Sequence, residues 1–268
     1  MSHTVRTACP LDCFDACGLI ATVDGDRVTR IAGDPDHPLT RGRICPKGKA
    51  ILSRTVSPDR LTTPLRRQRG GGFKPVSPEA ALDELADRLA SARARHGPAS
   101  VLHFAYDGYT GLIKTIDSVF FNHFAQNGDS GVTRPRGSLC WGAGMAAQRY
   151  DFGDVRGHAP EDIPHARTLI LWGRNPAHTN VHLLDSVRAA RRSGATVVHI
   201  DPVRTATARM ADHHIRIRPG ADGILALAMA NEIIRKGWVD RDFISRRVLG
   251  FRRFAASIED LDPERVER

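Results

Sequence analysis

The sequence predicts an α/β protein: a small β-rich, metal-stapled module at the amino terminus, followed by an α/β region built on a parallel, doubly wound sheet. Three observations predict this. Cys9, Cys13 and Cys17 recur at four-residue intervals, and Cys45 follows after a gap. Short apolar runs between them flank a glycine-containing turn. From residue 168 onward, short apolar runs alternate with helical periodicity, the pattern of parallel strands joined by right-handed crossovers.

The elements follow in order. Residues 19–23 (LIATV) and 28–31 (VTRI) surround Asp24-Gly25-Asp26-Arg27, a hairpin signal. Residues 33–45 carry Pro35, Pro38 and Gly42 and read as an irregular loop. A basic connector ends in Gly70-Gly71-Gly72. Ser77-Pro78 opens a helix with a capping residue and a proline at the first helical position. Leu82, Leu85, Ala86 and Leu89 repeat at helical spacing, and Gly97-Pro98 stops it. Residues 101–105 read as a buried strand, and 111–125 as an apolar helix. Further on, 169–172 (LILW), 196–200 (TVVHI) and 214–217 predict three strands. Helices through Leu183, Leu184, Val187 and Ala190, and over 222–236, follow the first and third of them.

Composition narrows the function classes. The chain has 268 residues, 41% apolar and 26% charged, enough for a sizeable core. No run approaches the roughly 18 apolar residues of a membrane span, so membrane insertion is not expected. Residues 1–8 (MSHTVRTA) lack the basic and apolar segments of a secretory signal. A cytoplasmic location is therefore expected, where thiols stay reduced and clustered cysteines point to metal or catalysis. The formal charge of +9 is spread along the chain, with a modest cluster from Arg60 to Lys74. Few aromatics interleave with it, which argues against a zinc-stapled nucleic-acid binder. An anionic, phosphate-bearing cofactor is a natural use for such charge.

The cysteines form C-x3-C-x3-C-x27-C. Thiolates are soft ligands for iron–sulfur clusters and for zinc. Structural zinc commonly uses two separated pairs, whereas a trio with one distant partner suits the corners of a [4Fe–4S] cubane. The spacing therefore favours a cluster over zinc. Lys47, two residues past Cys45, is either a surface lysine or a cation that tunes the cluster. Cys140 lies in GSLCWGAG, where glycines permit close backbone approach. It is a metal ligand, a nucleophile or a buried core cysteine.

Three loops follow the strands of the carboxy-terminal half: WGRNP at 172–176, DPVRT at 201–205 and RPGAD at 218–222. Ligands of open α/β sheets bind at the carboxyl ends of strands. Asp201 and Asp222 can accept hydrogen bonds from ribose hydroxyls or a guanine edge, and arginines with a helix amino terminus can meet pyrophosphate. No G-x-G-x-x-G fingerprint is present, which disfavours an ordinary NAD fold.

The four-cysteine pattern, CPKG, GSLCWGAG, WGRNP, IDPVRTATARMAD and RPGADGILALAMA occur in this order. Together they resemble the molybdopterin oxidoreductases of the dimethyl sulfoxide reductase superfamily, which includes formate dehydrogenases, nitrate reductases and thiosulfate or polysulfide reductases. The similarity runs from about residue 6 to about residue 250. It implies a [4Fe–4S] cluster on Cys9, Cys13, Cys17 and Cys45, with Lys47 between that cluster and a pterin. Cys140 matches the position that binds molybdenum or tungsten. Trp172, Gly173, Asn175, Asp201, Thr205, Gly220 and Asp222 would line one molybdopterin guanine dinucleotide. The implied domains are a [4Fe–4S] module over 1–56, an α/β segment over 57–135 and an incomplete dinucleotide-binding domain over 136–268. Family members are considerably longer and grip a second pterin dinucleotide with a later domain. The implied partners are a small-molecule substrate and either a redox protein or the carboxy-terminal part of the enzyme. Trp141 stands where formate dehydrogenases of this group place histidine, which argues against formate. An alternative is an iron–sulfur electron-transfer or structural subunit that has lost the pterin; retention of Cys140 and all three loops favours the enzyme.

Overall fold

The computed structural model describes residues 1–11, 13–104, 120–121 and 138–261. They form two compact units, Met1–Ala159 and Pro160–Arg268.

The first unit begins with an antiparallel meander of β1 (Ser2–Ala8), β2 (Gly18–Asp24) and β3 (Arg27–Gly33). The β2–β3 pair is the expected hairpin, and Gly25 supplies the positive φ of its turn. β1 was not foreseen. All seven of its residues are exposed, so no apolar alternation marks it. Pairing with β2 along its whole length, from Ser2↔Asp24 to Ala8↔Gly18, makes it a strand.

The loop after β3 is irregular, as expected, and is packed against the sheet by close glycine approaches. A Cβ on Gly33 would lie 2.1 Å from the Gly42 carbonyl oxygen, and one on Gly18 would meet the His37 ring at 2.8 Å. Asp34 donates its N–H to Gly18 O and accepts from Gly42 N. The chain then enters two short helices, α1 (Pro46–Lys49) and α2 (Ile51–Thr55).

The glycine-ended connector is a second hairpin, β4 (Leu65–Arg67) with β5 (Phe73–Pro75). Its three-residue strands are too short for a periodic signal. Helix α3 (Pro78–His96) starts where the capping signal placed it, with Ser77 Oγ accepting from Ala80 N, and stops at Gly97. Its Leu82 and Leu85 are exposed.

The strand expected over 101–105 is not a buried strand in its described part. Leu102 makes a single bridge, and Leu102 and Phe104 are exposed. An apolar run becomes a strand only with a partner to complete its hydrogen bonds, and one bridge does not supply that. The helix expected over 111–125 lies outside the described residues except for Phe120 and Phe121, which are helical. Helix α4 (Trp141–Phe152) closes the described part of this unit and ends at left-handed Gly153.

The second unit is a three-stranded parallel sheet in sequence order: β6 (Thr168–Trp172), β7 (Thr196–Ile200) and β8 (His213–Ile215). A short helix α5 (Pro176–Thr179) and the crossover helix α6 (Leu183–Arg192) join β6 to β7. Leu184, Val187 and Ala190 of α6 are buried, as their helical spacing predicts. Val197 and Ile200 of β7 are buried as well. Helices α7 (Asp222–Arg235), α8 (Arg241–Arg247) and α9 (Phe251–Ile258) follow. Asn231 of α7 donates to the carbonyls of Glu259 and Leu261, tying α7 to the end of α9. Among the described residues no helix is long and apolar enough to cross a membrane.

Candidate functional site

The cysteine loop is built by the meander. Cys9 follows β1 and Cys17 precedes β2, and Cys9 N donates to Cys17 O at 2.8 Å. Between them Ala16 sits at φ 41, a left-handed conformation that a non-glycine residue adopts at a cost of about 1–2 kcal/mol. The reversal it makes turns Cys13 and Cys17 back on one another, with Ala16 N bonded to Cys13 O. Cys45 arrives at the end of the loop strapped down by Gly33 and Gly42. It caps α1 by accepting from Gly48 N at its sulfur, 3.4 Å.

Cys17 senses the other three thiols. Cys17 is pushed up to about 11, first by burial and then by Asp15, Cys9, Cys13 and Cys45. Burial also raises Cys13; the Asp15 backbone and the Lys47 ammonium oppose that rise, and Cys45 adds to it. Lys47 is thus exposed on α1 within electrostatic reach of Cys13. A metal must displace these protons, so metal binding and proton release are coupled.

The donor set bears on which metal group these thiols hold. Tetrahedral zinc, with Zn–S bonds of about 2.3 Å, holds its sulfurs about 3.8 Å apart. Cys17 feels Cys9, Cys13 and Cys45 together, so the four sulfurs gather around one point. A cubane binds each thiolate at a separate corner iron and spreads them wider. The four-thiolate donor set and its order along the chain fit a cluster.

Cys140 stands at the amino-terminal cap of α4 with an exposed thiol. The capping is done by Ser138, whose hydroxyl accepts from Gly142 N at 2.8 Å and whose carbonyl accepts from Ala143 N. The Cys140 sulfur is therefore spared that task.

In the second unit, the register brings the three loops to one edge. Trp172 pairs with Ile200, and Ile200 with Ile215, so all three strands end level. Gly173 turns at φ 56 and donates to Ile200 O, and Gly220 turns at φ 88 before α7. Two of the predicted residues bond each other, and others bond their own loops. Trp172 Nε1 donates to Asp222 Oδ1 at 2.7 Å. Thr207 Oγ1 donates to Asn175 Oδ1 at 2.7 Å and accepts from Ala177 N. Thr205 Oγ1 accepts from Ala208 N, and Asp201 Oδ1 from Val203 N.

Sequence reasoning missed Thr207, which is buried and orders the Asn175 loop, and His199 and His214, which lie against Asp201. Thr207 lies within the IDPVRTATARMAD run, but its residue type and spacing do not single it out. His199 carries a sequence signal: a histidine inside the apolar strand TVVHI. Burial pushes its pKa down, while Asp201 and the Arg174 backbone favour the charged form without meeting hydrogen-bond geometry.

The comparisons with known proteins agree with this architecture. Residues 2–57 match the molybdopterin oxidoreductase Fe4S4 domain, and residues 60–249 match the molybdopterin oxidoreductase family. The chain belongs to the molybdopterin oxidoreductases. It is 43% identical to a probable oxidoreductase, YyaE, of Bacillus subtilis, over 94% of this chain and 37% of that one. It is 32% identical to the assimilatory nitrate reductase catalytic subunit of the same organism, over 97% and 36%. The acetylene hydratase of Pelobacter acetylenicus shares the fold with a TM-score of 0.74 and 25% identity, over 97% of this chain and 36% of that one. The chain spans little more than a third of the length of these relatives.

Proposed function

We propose that this chain is the amino-terminal part of a molybdenum or tungsten bis-pterin-guanine-dinucleotide oxidoreductase. The observation that carries the reading is the set of four thiols gathered on one loop system, with Cys17 under the influence of the other three. Cys9, Cys13, Cys17 and Cys45 would hold a [4Fe–4S] cluster in a module over 1–56. Lys47 would place its positive charge beside that module, where it favours the more reduced, more negative state. Cys140 would ligate molybdenum or tungsten. Trp172, Gly173, Asn175, Asp201, Thr205, Gly220 and Asp222 would line one dinucleotide, in a domain over 136–268 joined through 57–135. When bound, the cluster supplies one-electron transfer and the metal–pterin centre supplies two-electron chemistry.

The residues of this chain bind and orient. Asp201 and Asp222 accept hydrogen bonds from nucleotide hydroxyls or amines, and the Trp172–Asp222 bond fixes one of those acceptors in place. The amino terminus of α7 offers N–H groups to pyrophosphate. The substrate is a small molecule, and Trp141 argues against formate. The partner is a redox protein or the remaining length of the enzyme, and the location is cytoplasmic.

Anaerobically purified protein is expected to be brown and to contain iron and acid-labile sulfide, and Cys13→Ser to remove both. A colourless native protein with stoichiometric zinc would sink the cluster. Iron without molybdenum, tungsten or pterin would turn the reading toward an electron-transfer subunit.

A further inference from the structure

His199 occupies a core position of β7, two residues before Asp201. Its side chain is fully buried, and neither ring nitrogen meets hydrogen-bond geometry with a partner among the described residues, although the Arg174 backbone lies close enough to favour the charged ring. An unsatisfied imidazole in a strand interior is costly where valine or isoleucine would pack freely. Such a group calls for a role.

Its surroundings supply one. His199 Nε2 stands 4.0 Å from Asp201 Oδ2, just beyond hydrogen-bond reach. The rest of Asp201 is already held. Its Oδ1 accepts from Val203 N at 2.8 Å. Its backbone carbonyl lies 3.0 Å from His214 Nε2, and because a carbonyl only accepts, that nitrogen carries the proton. The two imidazole rings lie 5.4 Å apart, tilted by 36°. Oδ2 is thus the oxygen of Asp201 left to adjust, and the buried ring beside it has a donor to give. A loop shift of less than an ångström closes the gap.

We propose that His199 is a positioning residue for Asp201, its Nε2–H closing onto Oδ2 when a guanosine nucleotide engages that carboxylate. The inference rests on the reading that the 201–205 loop meets a nucleotide. It assigns His199 a part in ligand affinity at the expense of the stability of the unliganded chain. A merely structural histidine would have the opposite signature, because replacing it would lower stability and leave affinity alone.

The test uses the full chain, guanosine diphosphate as probe, calorimetric titration and thermal melting. His199→Leu is expected to melt at the same temperature or higher, yet to bind the probe about tenfold more weakly. His199→Gln, which keeps an N–H donor, is expected to recover most of that loss. Asp201→Asn should weaken binding too, and adding His199→Leu to it should cost little more, because the two act as a unit. Native-level binding by His199→Leu, with Asp201→Asn still impaired, overturns the role of His199 and leaves the nucleotide reading standing. No binding by the native chain, or binding indifferent to Asp201→Asn, overturns both. Should His199→Leu fail to fold, the imidazole nitrogen resonance of His199 in the native chain decides: it moves on addition of the probe, or the proposal fails.

Discussion

Among the described residues of 1–57, Cys17 and Leu19 are the buried apolar side chains, and Asp15, Asp34 and Thr40 are buried as well. From residue 160 onward, Leu184, Val187, Ala190, Ala195, Val197, Ile200, Ala208, Ile217, Ala228 and Ile258 are buried. The first region is held by strand pairing, turn hydrogen bonds and close glycine contacts. The second is held by an apolar layer between a helix and a sheet. A stretch that buries so little apolar surface cannot offset the entropy of ordering its backbone. A metal bound at its cysteines would supply the difference, and binding free energy there becomes folding free energy. The sheet region has no such need.

The largest effect that would sharpen this contrast is at Cys17. Cys17→Ser is expected to abolish the cluster and to strip amide protection from β1–β3 in hydrogen exchange, while β6–β8 keep theirs. Metal stapling of small modules is worth on the order of 10 kcal/mol, so the loss should be all-or-none. Full protection of β1–β3 in an iron-free variant would break the comparison.

The counterpart in the second region is Leu184→Ala, which empties part of the α6–β7 core. It should lower stability by about 3 kcal/mol, read from the melting of that unit, with iron content unchanged. Iron loss in this variant would show that the two regions do not fold on separate accounts.

The smallest effect is electrostatic. The Asp212 carboxylate accepts from Val197 N at 2.8 Å and from Arg191 Nη2 at 2.7 Å. The Val197 amide, and then Arg191, hold its pKa below the usual range. A depressed carboxylate stabilises the fold above its unfolded value of about 3.9, and that contribution disappears as pH falls through the lower folded value. The melting temperature of the sheet unit should drop over that acid range, and Asp212→Asn should flatten the drop. The iron-bound module should show no response to this substitution.

Much of the fold was legible because its signals are local. Ser77-Pro78 and Gly97 bound α3, the spacing of Leu184, Val187 and Ala190 gives the buried face of α6, and TVVHI is β7 residue for residue. β1 and the β4–β5 hairpin were not legible, because their pairing depends on partners elsewhere and not on their own apolar pattern. The run at 101–104 carried the opposite lesson: its described residues make one bridge, and Leu102 and Phe104 are exposed, so apolar type alone did not make a buried strand.

The candidate site divides the same way. The spacing of Cys9, Cys13, Cys17 and Cys45, the GSLCWGAG run and the three strand-ending loops lie in the linear order of residues, since soft ligands and glycine turns declare themselves by type and interval. The sequence by itself therefore determined the kind of protein this is and which residues are the candidates for its cofactor chemistry. Only the tertiary structure decided that Trp172 bonds Asp222, that Thr207 orders Asn175 and that His199 is buried against Asp201. Those pairs are separated along the chain or turned inward by the sheet, and a hydrogen bond depends on distances of a few ångströms that only the packed strands set.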